Sequence, residues 1–372
     1  MELFKLRGDL SRSQSFLLGL AGFVILIMAW WAVAEMLSIK RPVIEGFDTR
    51  LESSIGKDPV VHKLYLDSIA RVDSIAFANA TEFEKVYPLF PTPLQVVQSF
   101  PELIQKDGLV QQTGRSLWLN IQGYFWAIFI AVPLGFLIGL FPLFRGLFSK
   151  QVDAMRFLPL TALTGLFIIW FGIEDQMKIA FLAFGILVYL LPVVSQRVFE
   201  VENVYLKTVF TLGATDWQTI KTVYFPSVMS RLMDDIRVLT AISWTYIIIA
   251  ELLNRQGGIG SLMYIKARQG QIEKVFAGLI VIIIIGFLQD RIFQFIDKRI
   301  FPHKYSNTQP TGLKESQSGI LLVLGGVLFA LLLQVILPNA GWIMSSLLPV
   351  ILIGGVLFVI YGEFKIAQNA KA

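Results

Sequence analysis

Long apolar runs separated by short polar segments set the character of this chain. The runs fall at 16–37, 117–140, 157–172, 178–198, 236–253, 275–288, 319–337 and 342–360. Each approaches or reaches the roughly 20 residues that a helix needs to cross the ~30 Å hydrocarbon core of a bilayer. Backbone groups in lipid must be bonded within their own segment, so apolar runs of this length predict helices. The expected fold is therefore all-α, a polytopic membrane protein of about eight transmembrane helices. Residues 1–40 supply an N-terminal transmembrane helix, 41–88 an extracytoplasmic insertion, and 89–302 the central bundle. Residues 303–372 supply a linker and a C-terminal transmembrane hairpin turned at Pro338-Asn339-Ala340-Gly341.

The polar segments add detail. Val61, Leu64, Tyr65, Ile69, Val72 and Ile75 recur at nearly helical spacing, which predicts an amphipathic helix in the insertion. Asn79-Ala80-Thr81 matches a glycosylation sequon, a weak three-residue signal. Residues 94–109 read as an amphipathic helix ending near Asp107-Gly108. Gly135 and Gly139, four apart, allow a second helix to approach one face of their span. Arg145, Lys150 and Arg156 mark a basic loop. With Lys5, Arg7, Arg12, Arg291, Lys298, Arg299 and Lys304 they place both termini in the cytoplasm by the positive-inside rule. Arg255, Lys266, Arg268 and Lys274 then lie outside, as an anion-attracting patch or as the solvated face of a loop helix.

Composition narrows the class. Of 372 residues 55% are hydrophobic and 16% charged, and the mean hydropathy is +0.65, values of an integral membrane protein. The net charge of +5 is spread over the loops, which argues against nucleic acid as a partner. The chain has no cysteine for thiol chemistry, and its two histidines, His62 and His303, stand apart without ligand-like neighbours, so no metal site is expected. No Gly-x-x-x-x-Gly-Lys-Ser/Thr loop occurs, so the chain has no P-loop with which to hydrolyse ATP.

One polar stretch, 203–226, sits between strongly apolar spans. A short helix can form before Gly213, which favours a turn. Thr215 or Asp216 can cap a second helix beginning near Trp217, and Pro226 closes that helix or starts the next. Two short helices meeting at a glycine, held in water beside the membrane, make a docking element.

This stretch resembles the cytoplasmic coupling loop of permease subunits in binding-protein-dependent ABC importers. Leu212-Gly213-Ala214 is followed ten positions after the glycine by apolar Val223, as in that family, and then by Phe225-Pro226 in the place of the family's Leu-Pro pair. The loop departs from the family at Lys207-Thr208-Val209, where Glu-Ala-Ala is usual. Pro91-Thr92-Pro93 before a helix and Asp107-Gly108, the string 157–163 with Trp170-Phe171-Gly172-Ile173, and Trp244 with Ala250-Glu251 resemble the nitrate, sulfonate and taurine branch.

The resemblance covers about 89–301. It implies a transport subunit, not an enzyme, that binds no cofactor itself and relies on ATP used by a separate cytoplasmic ABC ATPase. It also implies a second permease chain, an extracytoplasmic substrate-binding protein, and an anion such as nitrate, sulfonate or taurine as cargo in the bacterial inner membrane. The coupling residues it implies are Lys207, Leu212, Gly213, Ala214, Thr215, Trp217, Val223, Phe225 and Pro226. Candidate pathway residues are Thr161, Thr164, Ser243, Trp244, Thr245 and Glu251, with Glu251 weighted toward a structural hydrogen-bonding role. A secondary, ion-coupled transporter is the alternative, and an intramembrane enzyme a lesser one. Glu174-Asp175 and Asp234-Asp235 read as boundary charges or helix starts.

Overall fold

The structure, a computed structural model, describes residues 10–42, 83–254, 257–305, 312–336 and 341–369. The expected amphipathic helix at 61–75, the sequon at 79–81, Arg255 and the turn residues 338–340 lie outside the described residues. The described chain forms two compact units, one drawn from Met1–Asp107 and Ile265–Gly278 and the other from Gly108–Tyr264 and Leu279–Ala372.

In the first unit α1 (Arg12–Met36) is an apolar helix whose N-terminus is closed by a capping box between Ser11 and Gln14. Two short strands, β1 (Ile39–Pro42) and β2 (Phe83–Val86), pair antiparallel with Ile39 opposite Val86. The hydropathy pattern gave no sign of them. Glu35, near the end of α1, accepts from Lys85 and from the Tyr87 hydroxyl (3.0 Å). Trp30 donates from Nε1 to the Pro91 carbonyl at 2.9 Å and packs with Phe90 and Phe276, whereas Trp31 is exposed. Helix α2 (Pro93–Gln105) begins with a second capping box, Thr92 with Gln95, and proline at its first position.

The second unit is built on α3 (Leu109–Leu140), which packs along α6 (Asp175–Phe199). A side-chain carbon at Gly135 would stand 2.5 Å from Val194 Cβ, and one at Gly139 2.7 Å from Val198 Cβ. Those glycines therefore set the close approach expected of them. Between α3 and α6 run α4 (Pro142–Met155) and α5 (Leu160–Phe171). The segment read as a basic loop is thus a helix, amphipathic and started by Pro142 at its first position. The span expected over 157–172 shrinks to 12 residues, about 18 Å long, and the α4–α5 pair is bent by 105°. Pro159 caps α5 and has no N–H to continue a helix from α4, which accounts for the break.

After α6 come α7 (Asn203–Thr211) and α8 (Asp216–Thr219), then a π-helical turn (Ile220–Tyr224) and α9 (Phe225–Asn254). The second short helix therefore does not stop at Pro226. The π turn shifts the bonding, with Phe225 N–H reaching the Ile220 carbonyl, and the helix continues through the proline into the span. Helices α10 (Ile259–Arg268) and α11 (Ile272–Ile300) follow, then the hairpin α12 (Leu313–Ile336) and α13 (Gly341–Asn369). Among the described residues seven helices are long and apolar enough to span a membrane, eight if the bent pair counts as one span. The fold is the all-helical polytopic bundle that the apolar runs predict.

Candidate functional site

The 203–226 segment folds as two helices about a glycine. Helix α7 ends in a Schellman motif: Ala214 N–H bonds the Val209 carbonyl and Gly213 N–H the Phe210 carbonyl, both at 3.0 Å. Gly213 itself has φ +78°, a conformation that side-chain-bearing residues resist. Thr215 caps α8, its hydroxyl accepting from Gln218 N–H (3.3 Å) while Gln218 Oε1 accepts from Thr215 N–H (2.8 Å). What this elbow presents is apolar: Leu212 is 80% exposed, Trp217 71%, and Val204, Tyr205 and Phe210 are exposed as well. Lys207 and Thr215 are exposed, Ala214 half-buried. Val223 packs inward against Val198, Val201 and Val228, and the exposed Phe225 ring lies 6.0 Å from Phe136. Of the nine coupling candidates, then, Leu212 and Trp217 project outward while Val223 anchors the base.

Ion pairs brace that base. Arg197 forks onto Asp235 with two 2.7 Å bonds and reaches Glu200 at 2.5 Å, tying α6 to α9. Arg237 bonds Asp290 at 2.8 Å, tying α9 to α11. Lys304 joins Asp234 (2.6 Å) and the fully buried Asp297 (3.0 Å). The hydrogen bond from Arg197 holds the Glu200 carboxyl below the usual range. Burial alone would lower Lys304, but Asp234 and Asp297 raise it. Asp234 and Asp235, read from sequence as boundary charges, are both members of this brace.

The pathway candidates separate by environment. Thr161 and Thr245 are exposed, and the Thr164 hydroxyl donates to the Thr161 carbonyl at 2.8 Å. Ser243 is buried and donates to the Thr240 carbonyl (2.7 Å) and Asn120 Oδ1 (3.1 Å). Trp244 donates from Nε1 to Gln289 at 2.8 Å. Glu251, fully buried, accepts from the Ser116 hydroxyl (2.5 Å) and the Gly260 N–H (2.8 Å). Around it Gln112 Oε1 accepts from Gly258 N–H (2.6 Å) and Ser116 from Ile259 N–H (2.9 Å). Glu251, Ser116 and Gln112 together cap the start of α10. Nearby, Asp175 accepts from Arg115 (2.9 Å) and from the buried Lys178 (3.1 Å).

Sequence reasoning passed over Gln112, Ser116 and Asn120. Their i, i+4, i+8 spacing along an apolar span was the available sign of a polar face turned toward other helices.

The basic residues near α10 are not a free patch. Lys266 pairs with Asp107 at 2.7 Å, and Lys274 with Glu102 at 3.0 Å and Asp107 at 3.5 Å. Burial would raise the Asp107 carboxyl, but Lys266 and then Lys274 bring it below its ordinary value.

Residues 131–302 match the family model described as the binding-protein-dependent transport system inner membrane component. A putative aliphatic sulfonates transport permease protein of Bacillus subtilis is 28% identical over 226 residues, 59% of this chain and 79% of that protein. The taurine transport system permease protein of Escherichia coli is 26% identical over 245 residues, 64% of this chain and 89% of that protein. Among solved structures, the MetNI methionine ABC transporter in inward-facing conformations aligns with a TM-score of 0.45 at 21% identity, over 52% of this chain and 94% of that one. The elbow and much of the helical bundle described above fall within the matched residues, and this part of the chain belongs with the inner-membrane permease components of binding-protein-dependent transport systems.

Proposed function

We propose that the α7–α8 elbow docks into a groove on a cytoplasmic ABC ATPase and carries its nucleotide-driven movement into the spans. The observation that carries this reading is the exposure of Leu212 and Trp217 on a segment whose second helix is the first turn of an unbroken 38-residue helical span, Asp216–Leu253. Exposed aromatic and aliphatic side chains on a rigid knob are the usual anchors of a protein interface. Force on α8 is transmitted along α9, and the Arg197–Asp235 and Arg237–Asp290 pairs pass it to α6 and α11.

In this reading residues 89–302 are the importer core, and 41–88 and 303–372 are additions to it. Both termini are cytoplasmic. A closing ATPase dimer needs two lever arms, so two permease chains assemble, identical or not, and an extracytoplasmic binding protein delivers the cargo. A small anion such as a sulfonate, taurine or nitrate is favoured by the similarity to the sulfonate and taurine permeases. Lys266 and Lys274 are already neutralised by carboxylates, so they are not the groups that attract it. The exposed hydroxyls of Thr161 and Thr245 are the pathway candidates left accessible.

The test is co-purification of the chain with its ATPase. Trp217→Ala is expected to weaken the association by ~30-fold or more, the cost of truncating a central aromatic anchor. Unchanged association together with unchanged ATP-driven uptake would refute the docking role.

A further inference from the structure

A cavity of about 890 Å³ opens among α3, α5, α6 and α12. Its walls are helical stripes: Gln122, Trp126 and Ile130 on α3, and on α6 a face running from Gln176 through Ala183 to Leu187. Phe167 and Trp170 of α5 and Leu331 and Gln334 of α12 close the remaining sides. The α6 face covers twelve residues, eleven steps of 1.5 Å or about 16 Å, which is half the ~30 Å hydrocarbon core. The cavity is therefore one leaflet deep and runs along the spans.

Its chemistry narrows the occupant. Among the described residues no ionisable side chain lines it, so an anion placed there would lose its hydration with no cation in return. The walls are otherwise aromatic and aliphatic, yet Gln122 is 5% exposed, faces the cavity, and makes no hydrogen bond to any described residue. The Gln122 amide therefore opens onto the cavity as a donor without a partner in an otherwise apolar wall, and an occupant that carries an acceptor satisfies it. Gly123 sits against Leu182, which places Gln122 six residues along α6 from Gln176, about 9 Å below the mouth. The occupant thus carries its acceptor a little past the middle of the 16 Å depth, with largely apolar wall on either side. Exposed Ile130 and Trp170 at the rim make the cavity continuous with the lipid-facing surface.

We propose that this cavity holds an acyl chain of a membrane phospholipid, whose ester carbonyl accepts a hydrogen bond from the Gln122 side-chain amide. The lipid wedges the α12 hairpin against the α3–α6 core.

The test is native mass spectrometry of the full chain after delipidation and exchange with phosphatidylcholine carrying either ester-linked or ether-linked chains. Wild type should retain one ester lipid per chain and prefer it over the ether lipid by about fivefold, the equivalent of one hydrogen bond. Gln122→Leu, close in size, should retain both lipids equally. Ala183→Phe narrows the cavity near the level of Gln122 and should lower retention about tenfold while ATPase association persists. Absence of retained lipid in wild type would overturn the proposal. So would an unchanged ester preference in Gln122→Leu, which decides the matter even if Ala183→Phe fails to fold. Full lipid retention in Ala183→Phe together with lost uptake or lost self-association would overturn it too, assigning the cavity to cargo or to a second copy.

Discussion

Glu251 is tolerated inside the bundle because every nearby group is arranged to meet it. The Ser116 hydroxyl and the Gly260 N–H bond its two oxygens, and a side chain at Gly258 would overlap the carboxylate. Truncation strands those donors, at about 1–3 kcal/mol for each group left unsatisfied. Glu251→Ala should therefore lower the thermal unfolding midpoint of the purified chain clearly, and Glu251→Gln, which keeps an acceptor, much less. Equal melting of the two variants would contradict the capping role.

Asp107 makes a separate prediction outside the spans. Its folded pKa lies below the unfolded value of about 4, so the stability it contributes is present above that value and is lost as pH falls through the folded one. Melting followed from pH 7 to pH 3 should show a drop confined to the acid end. Asp107→Asn should already be less stable at pH 7 and fall less on acidification.

Among the elements, the elbow depends on Gly213 in a left-handed conformation at φ +78°. A β-branched residue there is strained by about 1–2 kcal/mol, whereas asparagine adopts the conformation more readily. Gly213→Val should reduce ATP-driven uptake in proteoliposomes, and Gly213→Asn should restore most of it. Equal loss in both would mean that the backbone geometry is not what matters.

Much of this element was legible in the sequence. The helix–glycine–helix grammar, the Thr215 cap and the spans of α1, α3, α6 and α11 follow from periodicity and turn chemistry. The π turn at 220–224 did not, because no local residue pattern distinguishes a shifted hydrogen bond from a helix end before Pro226. Strands β1 and β2 are four residues each, too short for an alternating pattern to show. Helix α4 was hidden by its charges: Arg145 looks like a loop residue until it is seen stacking on Phe199 at 3.9 Å and bonding the Gly139 carbonyl. The candidate site was harder to see, because partners such as Ser116 and Glu251 lie 135 positions apart.

For the molecule as a whole, the central claim is that a water-exposed elbow between membrane spans receives force from a separate ATPase. The hairpin beyond residue 302 is fastened to α11 by Arg299–Glu363 (2.5 Å) and by Gln317 donating to the Arg299 carbonyl (2.8 Å), so it moves with the core. The chain contains no cysteine, which makes a single introduced thiol an unambiguous reporter. The most direct measurement is labelling of Leu212→Cys by a membrane-impermeant maleimide in right-side-out and inverted vesicles, with and without the ATPase. Labelling only in inverted vesicles, blocked when the ATPase is bound, is the predicted result. Labelling in right-side-out vesicles, or labelling that the bound ATPase leaves unchanged, would contradict the account.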